Sequence, residues 1–179
     1  MGDKRKSAIR EWIETLVIAF ILAMLVRAFI MAAFKIPTGS MIPTLLVGDK
    51  IFVNKFIYRF HEPKRGDIIV FKSPEDPKKD FVKRLVALGG ETVEIRNGKI
   101  YINSKQITDP RILKIYYVNR SPYGEEGKTT KVPRDGYFAL GDNSTNSRDS
   151  REWGFVPKKN LVGKAFLIWW PLNRIRILE

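Results

Sequence analysis

The sequence predicts a mainly β protein that carries one amino-terminal transmembrane helix. Three observations predict this fold class: a long apolar run near the amino terminus, short apolar segments separated by turn-forming residues after it, and no convincing helical repeat in that later part. The chain has 179 residues, enough for one compact domain beside a membrane segment. We therefore expect mixed antiparallel sheets with a small inserted lobe.

The predicted transmembrane anchor covers residues 12–34. As a helix, this run spans roughly 34 Å, and the apolar core of a bilayer is about 30 Å thick. Residues 1–11 are basic, so we expect them in the cytoplasm and residues 35–179 outside it. A cleaved signal peptide is the alternative, but no Ala-x-Ala pattern closes the run. The residues of the run that are not apolar are Glu14, Thr15 and Arg27.

The part of the chain after the anchor shows strand patterns separated by turns. Asn97-Gly98 stands between two alternating segments and is a strong signal for a two-residue hairpin. Residues 104–133 are polar and rich in proline and glycine, so we interpret them as the inserted lobe. Strands are predicted at residues 50–56, 67–71, 81–88, 92–96, 99–103, 137–140, 162–170 and 174–178.

The composition limits the possible partners and chemistries. From residue 35 onward the chain has 27 Lys and Arg against 16 Asp and Glu, which suits a domain that lies against anionic membrane lipid, although a basic surface without a partner is the alternative. We expect no nucleic acid partner, because a domain outside the cytoplasm seldom meets one. The absence of cysteine excludes thiolate catalysis, cysteine zinc sites and disulfides. We expect no cofactor and no metal, since the carboxylates match no calcium-loop pattern.

Ser40 is the first candidate for a functional residue. It lies six residues after the apolar run, in Pro37-Thr38-Gly39-Ser40-Met41-Ile42-Pro43. Proline and glycine at these positions exclude a long helix, so the chain bends there, next to the predicted membrane surface. Ser40 is therefore either a nucleophile at the lipid boundary or an incidental residue of a turn.

Such a nucleophile needs a general base, and the candidates are a lysine with a lowered pKa or a carboxylate. His61 is the single histidine and lies in a charged turn, where we expect a solvated side chain. Lys83 and Arg84 are adjacent in an otherwise apolar strand, so they point to opposite faces and one of them must enter shielded surroundings. Burial lowers the pKa of a lysine and can leave it neutral. The alternative is that both side chains reach solvent at a sheet edge.

A third polar segment covers residues 141–157, directly after a predicted strand. It is dense in hydroxyl and amide side chains. Such a segment can simply bind its own backbone in a tight loop. It can also support a catalytic lysine, with Ser147 bonded to the amine and with Asp149 and Arg151 holding the loop.

With these segments in view, the chain resembles the bacterial type I signal peptidases, peptidase family S26. The resemblance covers the anchor, Pro-Thr-Gly-Ser-Met-Ile-Pro-Thr-Leu within residues 36–55, Arg-Gly-Asp-Ile-Ile-Val-Phe at 65–71, the Lys83-Arg84 strand at 80–88, and residues 141–157, in family order. Two departures concern turns. Leu-Gly-Gly-Glu replaces the more usual Leu-Pro-Gly-Asp at 88–91, and Ser144-Thr145 stand where other members often carry Arg-Asp.

The resemblance implies a serine endopeptidase of the bacterial plasma membrane that removes signal peptides from exported preproteins. Ser40 corresponds to the nucleophile and Lys83 to the general base, while Ser147 orients the lysine. The backbone N–H of Ser40 and the hydroxyl of Thr38 form the oxyanion hole. The residues that correspond to structural positions of the same loop are Asp142, Asp149 and Arg151.

The resemblance also implies an extended substrate, bound as an added strand with alternate side chains in shallow apolar pockets. These pockets admit alanine-like residues, and their lining corresponds to Phe34, Ile36, Pro37, Leu45, Val70 and Val82. Two alternatives to this function are a self-cleaving repressor-like Ser/Lys protease and a membrane-anchored basic binding module without catalysis.

Overall fold

The computed structural model describes residues 3–25 and 31–178, which form three α-helices and twelve strands. The helices are α1 (Asp3–Leu25), α2 (Pro110–Leu113) and α3 (Ser150–Trp153). The strands are β1 (Met31–Lys35), β2 (Lys50–Asn54), β3 (Ile68–Lys72), β4 (Asp80–Ala87), β5 (Thr92–Arg96), β6 (Lys99–Ile102), β7 (Lys105–Gln106), β8 (Thr130–Lys131), β9 (Gly136–Leu140), β10 (Val156–Pro157), β11 (Leu161–Trp170) and β12 (Arg176–Ile177). The predicted mainly β fold is confirmed.

The prediction of one helix over residues 12–34 is wrong at residues 31–34, which belong to strand β1. Helix α1 ends at Leu25, and β1 pairs antiparallel with β2. Arg27 is among residues 26–30, which lie outside the described residues. The sequence did not reveal β1 because Met-Ala-Ala-Phe continues the apolar run, so no change of composition marks its start. Within the described ranges, no helix combines the length and the apolar character that a membrane crossing needs.

The larger sheet has the strand order β1-β2-β11-β3-β4-β9-β10, and β12 pairs with β11. All of its pairs are antiparallel. Strand β4 pairs with β3 from Asp80 to Arg84, but its pairing with β9 begins only at Arg84. The first half of β4 therefore has one strand edge without a partner in the described sheet, and this edge faces the candidate site.

The smaller sheet has the order β7-β6-β5-β8 and forms the lobe. The lobe is larger than residues 104–133, because the predicted strands at 92–96 and 99–103 belong to this second sheet. The predicted hairpin is confirmed: Asn97 and Gly98 have φ angles of 50° and 72°, and a two-residue turn of this kind requires positive φ at both positions.

Apolar clusters on both faces of β3 hold the larger sheet in place. Ile68 and Val70 pack into one cluster, whereas Ile69 and Phe71 pack into another, as the period of two in a strand requires. A third cluster joins β4 and β9 to the lobe. Strand β3 is thus covered on both faces, which explains its uninterrupted apolar sequence.

Gly163 of β11 provides a test of how tightly the larger sheet is packed. A Cβ at this position would lie 2.4 Å from the backbone oxygen of Asn54 in β2, and backbone cannot move aside cheaply. We expect Gly163→Ala to lower the free energy of unfolding by about 2 kcal/mol, within the usual range for overpacking. Urea unfolding of the full chain in detergent measures this.

Gly136→Ala is the matched control, because Gly136 is also buried in a strand but its Cβ would have no neighbour closer than 3.4 Å. We expect less than about 0.5 kcal/mol for this control. Equal losses in the two variants would contradict the packing described here.

Candidate active site

The backbone on both sides of Ser40 is fixed by buried anchors. Ser40 lies in a short 3₁₀ turn, Gly39–Met41, and is half-buried. Before the turn, the N–H of Ile36 donates to Asp49 O at 2.8 Å, and Ile36 O accepts from Gly48 at 2.8 Å. After it, Met41 is buried in the core and its carbonyl accepts from Leu45 at 2.9 Å. The turn is therefore held at both ends, with the serine between them.

Lys83 lies beside Ser40. Its Nζ donates to Ser40 Oγ over 2.6 Å, and the lysine is 5% exposed. Burial lowers the pKa of Lys83 from 10.5 to about 8. The negative charges of Asp149 and Asp142 oppose this shift in the pKa, whereas Arg151 adds to it. The arrangement can hold a neutral amine against a hydroxyl near physiological pH.

Arg84 is buried as well, whereas the sequence predicted shielded surroundings for only one of the two residues Lys83 and Arg84. Its guanidinium donates to both carboxylate oxygens of Asp142, from Nε at 2.8 Å and from Nη2 at 2.6 Å, and to Gly66 O at 2.8 Å. The hydroxyl of Thr44 also donates to Asp142. This pair joins β4 to the loop after β9. The sequence carried one signal for this buried pair: Arg84 is the second cation in an otherwise apolar strand.

Asp149 and Arg151 form a second buried pair. Arg151 Nε and Nη2 donate to the two carboxylate oxygens of Asp149 at 2.8 and 2.7 Å, and neither residue is exposed. Asp149 also accepts from the N–H of Gly141 at 3.0 Å, and Arg151 Nη1 donates to Val118 O at 2.6 Å. The pair thus ties the loop to β9 and to the lobe.

The same loop binds the backbone of the Ser40 turn. Asn143 donates through its N–H to Ser40 O and through its side chain to Gly39 O, both at 3.0 Å. At Gly141 a Cβ would lie 2.5 Å from Ser40 O and 2.1 Å from Ser147 Oγ, so only glycine permits this close approach. The contributions of Asn143 and Gly141 were not predicted, because nothing in the local pattern distinguishes these two residues from their neighbours in the loop.

The predicted roles of Ser147 and Thr38 stay predictions. Ser147 is 2% exposed, but among the described residues its Oγ has no hydrogen-bond partner, so its bond to Lys83 is not formed here. Thr38 is exposed at the rim of a cleft that contains Ser40.

This cleft has a volume of about 490 Å³ and lies between the Ser40 turn and the free edge of β4; we call it the apolar cleft. Ile36, Pro37 and Val82 line it, three of the six predicted pocket residues. The other three lie in or against the core beneath: Leu45 and Val70 are completely buried, and Phe34 packs against the same cluster. These three residues do not line the cleft and can influence its shape only by packing beneath the residues that do. The role of all six in binding substrate stays a prediction.

His61 is exposed, as expected for a residue of a charged turn. No group of three or more histidine or carboxylate side chains in the described part of the chain could hold a metal ion.

A buried lysine bonded to a serine hydroxyl, in an apolar cleft beside a free strand edge, is chemically compatible with a serine hydrolase that uses lysine in place of histidine. The sequence matches the family described as signal peptidase, peptidase S26, over residues 9–170. The chain belongs to this family.

Related proteins align with this chain over most of its length. A signal peptidase I of Leptolyngbya laminosa is 39% identical over 179 residues, which cover 96% of this chain and 85% of the relative. Signal peptidase I P of Bacillus subtilis subsp. natto is 39% identical over 178 residues, which cover 97% and 95%. The crystal structure of a signal peptidase I from Enterococcus faecalis is 34% identical and matches 58% of this chain and 97% of that one, with a TM-score of 0.47.

The Arg84–Asp142 pair yields a prediction on stability. Arg84→Met and Asp142→Leu each leave one buried charge without its partner, so we expect each to lower the free energy of unfolding by about 3 kcal/mol. The double variant leaves no unpaired charge, and its loss should be clearly smaller than the sum. Urea unfolding of all four forms gives the coupling energy.

The exposed pair of Lys79 and Asp76, at 3.0 Å, is the control. Its own cycle should give a coupling of at most about 0.5 kcal/mol. Additive losses for Arg84 and Asp142 would show that the buried pair is not coupled as described.

Proposed function

We propose that this serine endopeptidase cleaves signal peptides from preproteins with Ser40 as the nucleophile and Lys83 as the general base. Family membership supports the reaction, since the relatives are signal peptidases. The observation that carries the residue assignment is the 2.6 Å contact between Lys83 Nζ and Ser40 Oγ in a site that lowers the pKa of the amine to about 8.

The neutral amine of Lys83 takes the proton of Ser40 Oγ as the oxygen attacks the carbonyl carbon of the scissile bond. The resulting tetrahedral intermediate collapses when the C–N bond breaks, and the lysine ammonium gives its proton to the leaving amine. An ester then joins Ser40 to the signal peptide. Lys83, neutral again, activates a water molecule that hydrolyses this ester and regenerates the hydroxyl.

The oxyanion of the intermediate needs donors, and we propose the N–H of Ser40 together with the hydroxyl of Thr38. Ser147 is buried and close to the site, with Gly141 between it and Ser40 O. We propose that its hydroxyl orients the amine of Lys83 when substrate is bound, which would also give the buried Oγ a partner.

We propose that the substrate binds in extended form in the apolar cleft, where the first half of β4 offers backbone groups that no strand of the described sheet uses. The cleft is lined by Ile36, Pro37 and Val82, so small apolar side chains before the cut fit its surface. This supports a preference for alanine-like residues at the first and third positions before the scissile bond.

We propose attachment to a bacterial plasma membrane through the exposed apolar residues of α1, with the β domain on the outer side. Trp12, Leu16 and Phe20 of α1 are 71%, 63% and 66% exposed, as are most of their apolar neighbours in the helix. Contact with lipid removes this apolar surface from water. The domain from residue 35 onward has 27 Lys and Arg against 16 Asp and Glu, and this positive charge adds attraction to anionic lipid.

Substitution of the two reacting groups tests the assignment. We expect Ser40→Ala and Lys83→Met each to reduce cleavage of a preprotein with an Ala-x-Ala site by at least about 10³-fold, since they remove the nucleophile and the base. Cleavage is followed in detergent on gels, and circular dichroism checks the fold. Ser121→Ala and Lys131→Met, at exposed positions, are the matched controls and should cleave normally.

Normal cleavage by either site variant would overturn the assignment. Binding of the preprotein without cleavage by the unaltered protein would favour the binding module, and cleavage confined to its own chain would favour the repressor-like protease.

The pKa of Lys83 sets the expected pH dependence. Only the neutral amine can accept the serine proton, so kcat/KM should rise with pH, with a midpoint near 8, and fall about 100-fold below its plateau at pH 6. Peptide cleavage from pH 5 to 10 measures the profile. A rate that does not change over this range would exclude a titrating amine as the base.

The same pKa affects stability. Between pH 8 and 10.5 the unfolded chain binds one proton at Lys83 that the folded chain has lost, so the Lys83 contribution makes the fold more stable as pH rises, by about 3 kcal/mol in total. The free energy of unfolding is measured at each pH for the unaltered chain and for Lys83→Met. The difference between the two gives the Lys83 contribution, because the other titrating groups are the same in both.

A further inference from the structure

A second cleft lies on the other side of the Ser40 turn, and the mechanism above does not use it. Its volume is about 520 Å³. One wall is the chain that continues from the Ser40 turn, Ile42 to Thr44, and the opposite wall is Lys114 to Tyr116, with Arg176 beside Thr44. We call it the exit cleft and define it by these residues.

Hydrogen bonds fix both walls of the exit cleft. Behind Tyr116, the N–H of Tyr117 donates to Gly98 O at 2.9 Å, and the ring of Tyr116 occupies space that a Cβ at Gly98 would take. On the other wall, Thr44 donates to a buried carboxylate and accepts from Arg176 at its carbonyl. The cleft is therefore a formed feature of the fold.

The exit cleft begins close to the reacting serine. Ile42 is two residues after Ser40, and Asn143, which lines the cleft, is bonded to Ser40 O. An extended peptide advances about 3.3 Å per residue, so the second and third residues after the scissile bond lie about 7–10 Å from the reacting carbonyl. Since residues before the cut occupy the apolar cleft, a peptide that continues past Ser40 reaches the exit cleft.

The exposed charges of the exit cleft are positive. Lys114 and Arg176 are exposed, and neither forms an ion pair within residues 3–25 and 31–178. Asp142 also lines the cleft, but its carboxylate is buried and already paired with Arg84. We propose that the exit cleft binds the first residues after the cut and favours an acidic side chain at the second or third of them. This rests on the proposed cleavage at Ser40.

Peptides that differ only after the cut test this inference. Each carries the same Ala-x-Ala half, followed by Glu, Gln or Lys at the second and third positions of the other half. With the full chain in detergent, we expect kcat/KM to be about fivefold higher for the Glu peptide than for the Lys peptide, a modest ratio because the charges are exposed to solvent. High salt screens these charges, so the ratio should then become smaller. Lys114→Glu should reverse or abolish the preference.

Lys131→Glu is the matched control, because Lys131 is exposed on β8 and lies outside the exit cleft. It makes the same change of charge and should leave both the rate and the preference as they are. Equal rates for the three peptides, or the same loss of preference in Lys131→Glu and Lys114→Glu, would overturn the inference.

Binding separates this inference from the proposed function. The affinity of Ser40→Ala for the same peptides, labelled and followed by fluorescence anisotropy, should fall in the order Glu, Gln, Lys even though nothing is cut. Equal affinities would refute the exit cleft as a charge-selective site. Failure of the unaltered protein to cleave any of the peptides would instead refute the proposed function.

Discussion

The site depends on an amine that is kept out of water without a carboxylate of its own. Three buried cations lie close together, Lys83, Arg84 and Arg151, but only two buried carboxylates serve them. Each arginine engages its carboxylate in a two-pronged contact, whereas no ion pair of the described residues includes Lys83. Desolvation therefore outweighs the more distant negative charges and lowers the pKa of the lysine. Because the two arginines occupy these carboxylates, neither carboxylate pairs with Lys83 and keeps it charged.

Patterns local to the chain predicted most of the fold. Alternation and turn residues located the long strands, and Asn97-Gly98 gave the hairpin, because these signals arise within a few residues. The beginning of β1 was not predictable, since an apolar strand that follows an apolar helix changes neither hydropathy nor composition. The extent of the lobe was also missed: which sheet a strand joins is decided by packing among distant residues, as for β5 and β6.

The site was predictable to a different extent. Ser40 and Lys83 stood out because a serine in a proline-bracketed turn and a lysine in an apolar strand are locally unusual, and the family resemblance paired them. Gly141 and Asn143 did not stand out. Their importance lies in contacts with backbone about 100 positions earlier in the chain, and such contacts leave no local pattern to detect.

The loop after β9 both positions the backbone of Ser40 and lies between the two clefts beside it. The two hydrogen bonds from Asn143 fix the backbone of Gly39 and Ser40, and the loop that makes them lies between two clefts of different character. Asn146 lines the apolar cleft, whereas Asn143 lines the exit cleft together with Lys114 and Arg176. The contacts that hold the serine in place thus also lie between the two clefts. A change in Asn143 would therefore alter the position of Ser40 and the boundary between the two clefts at the same time.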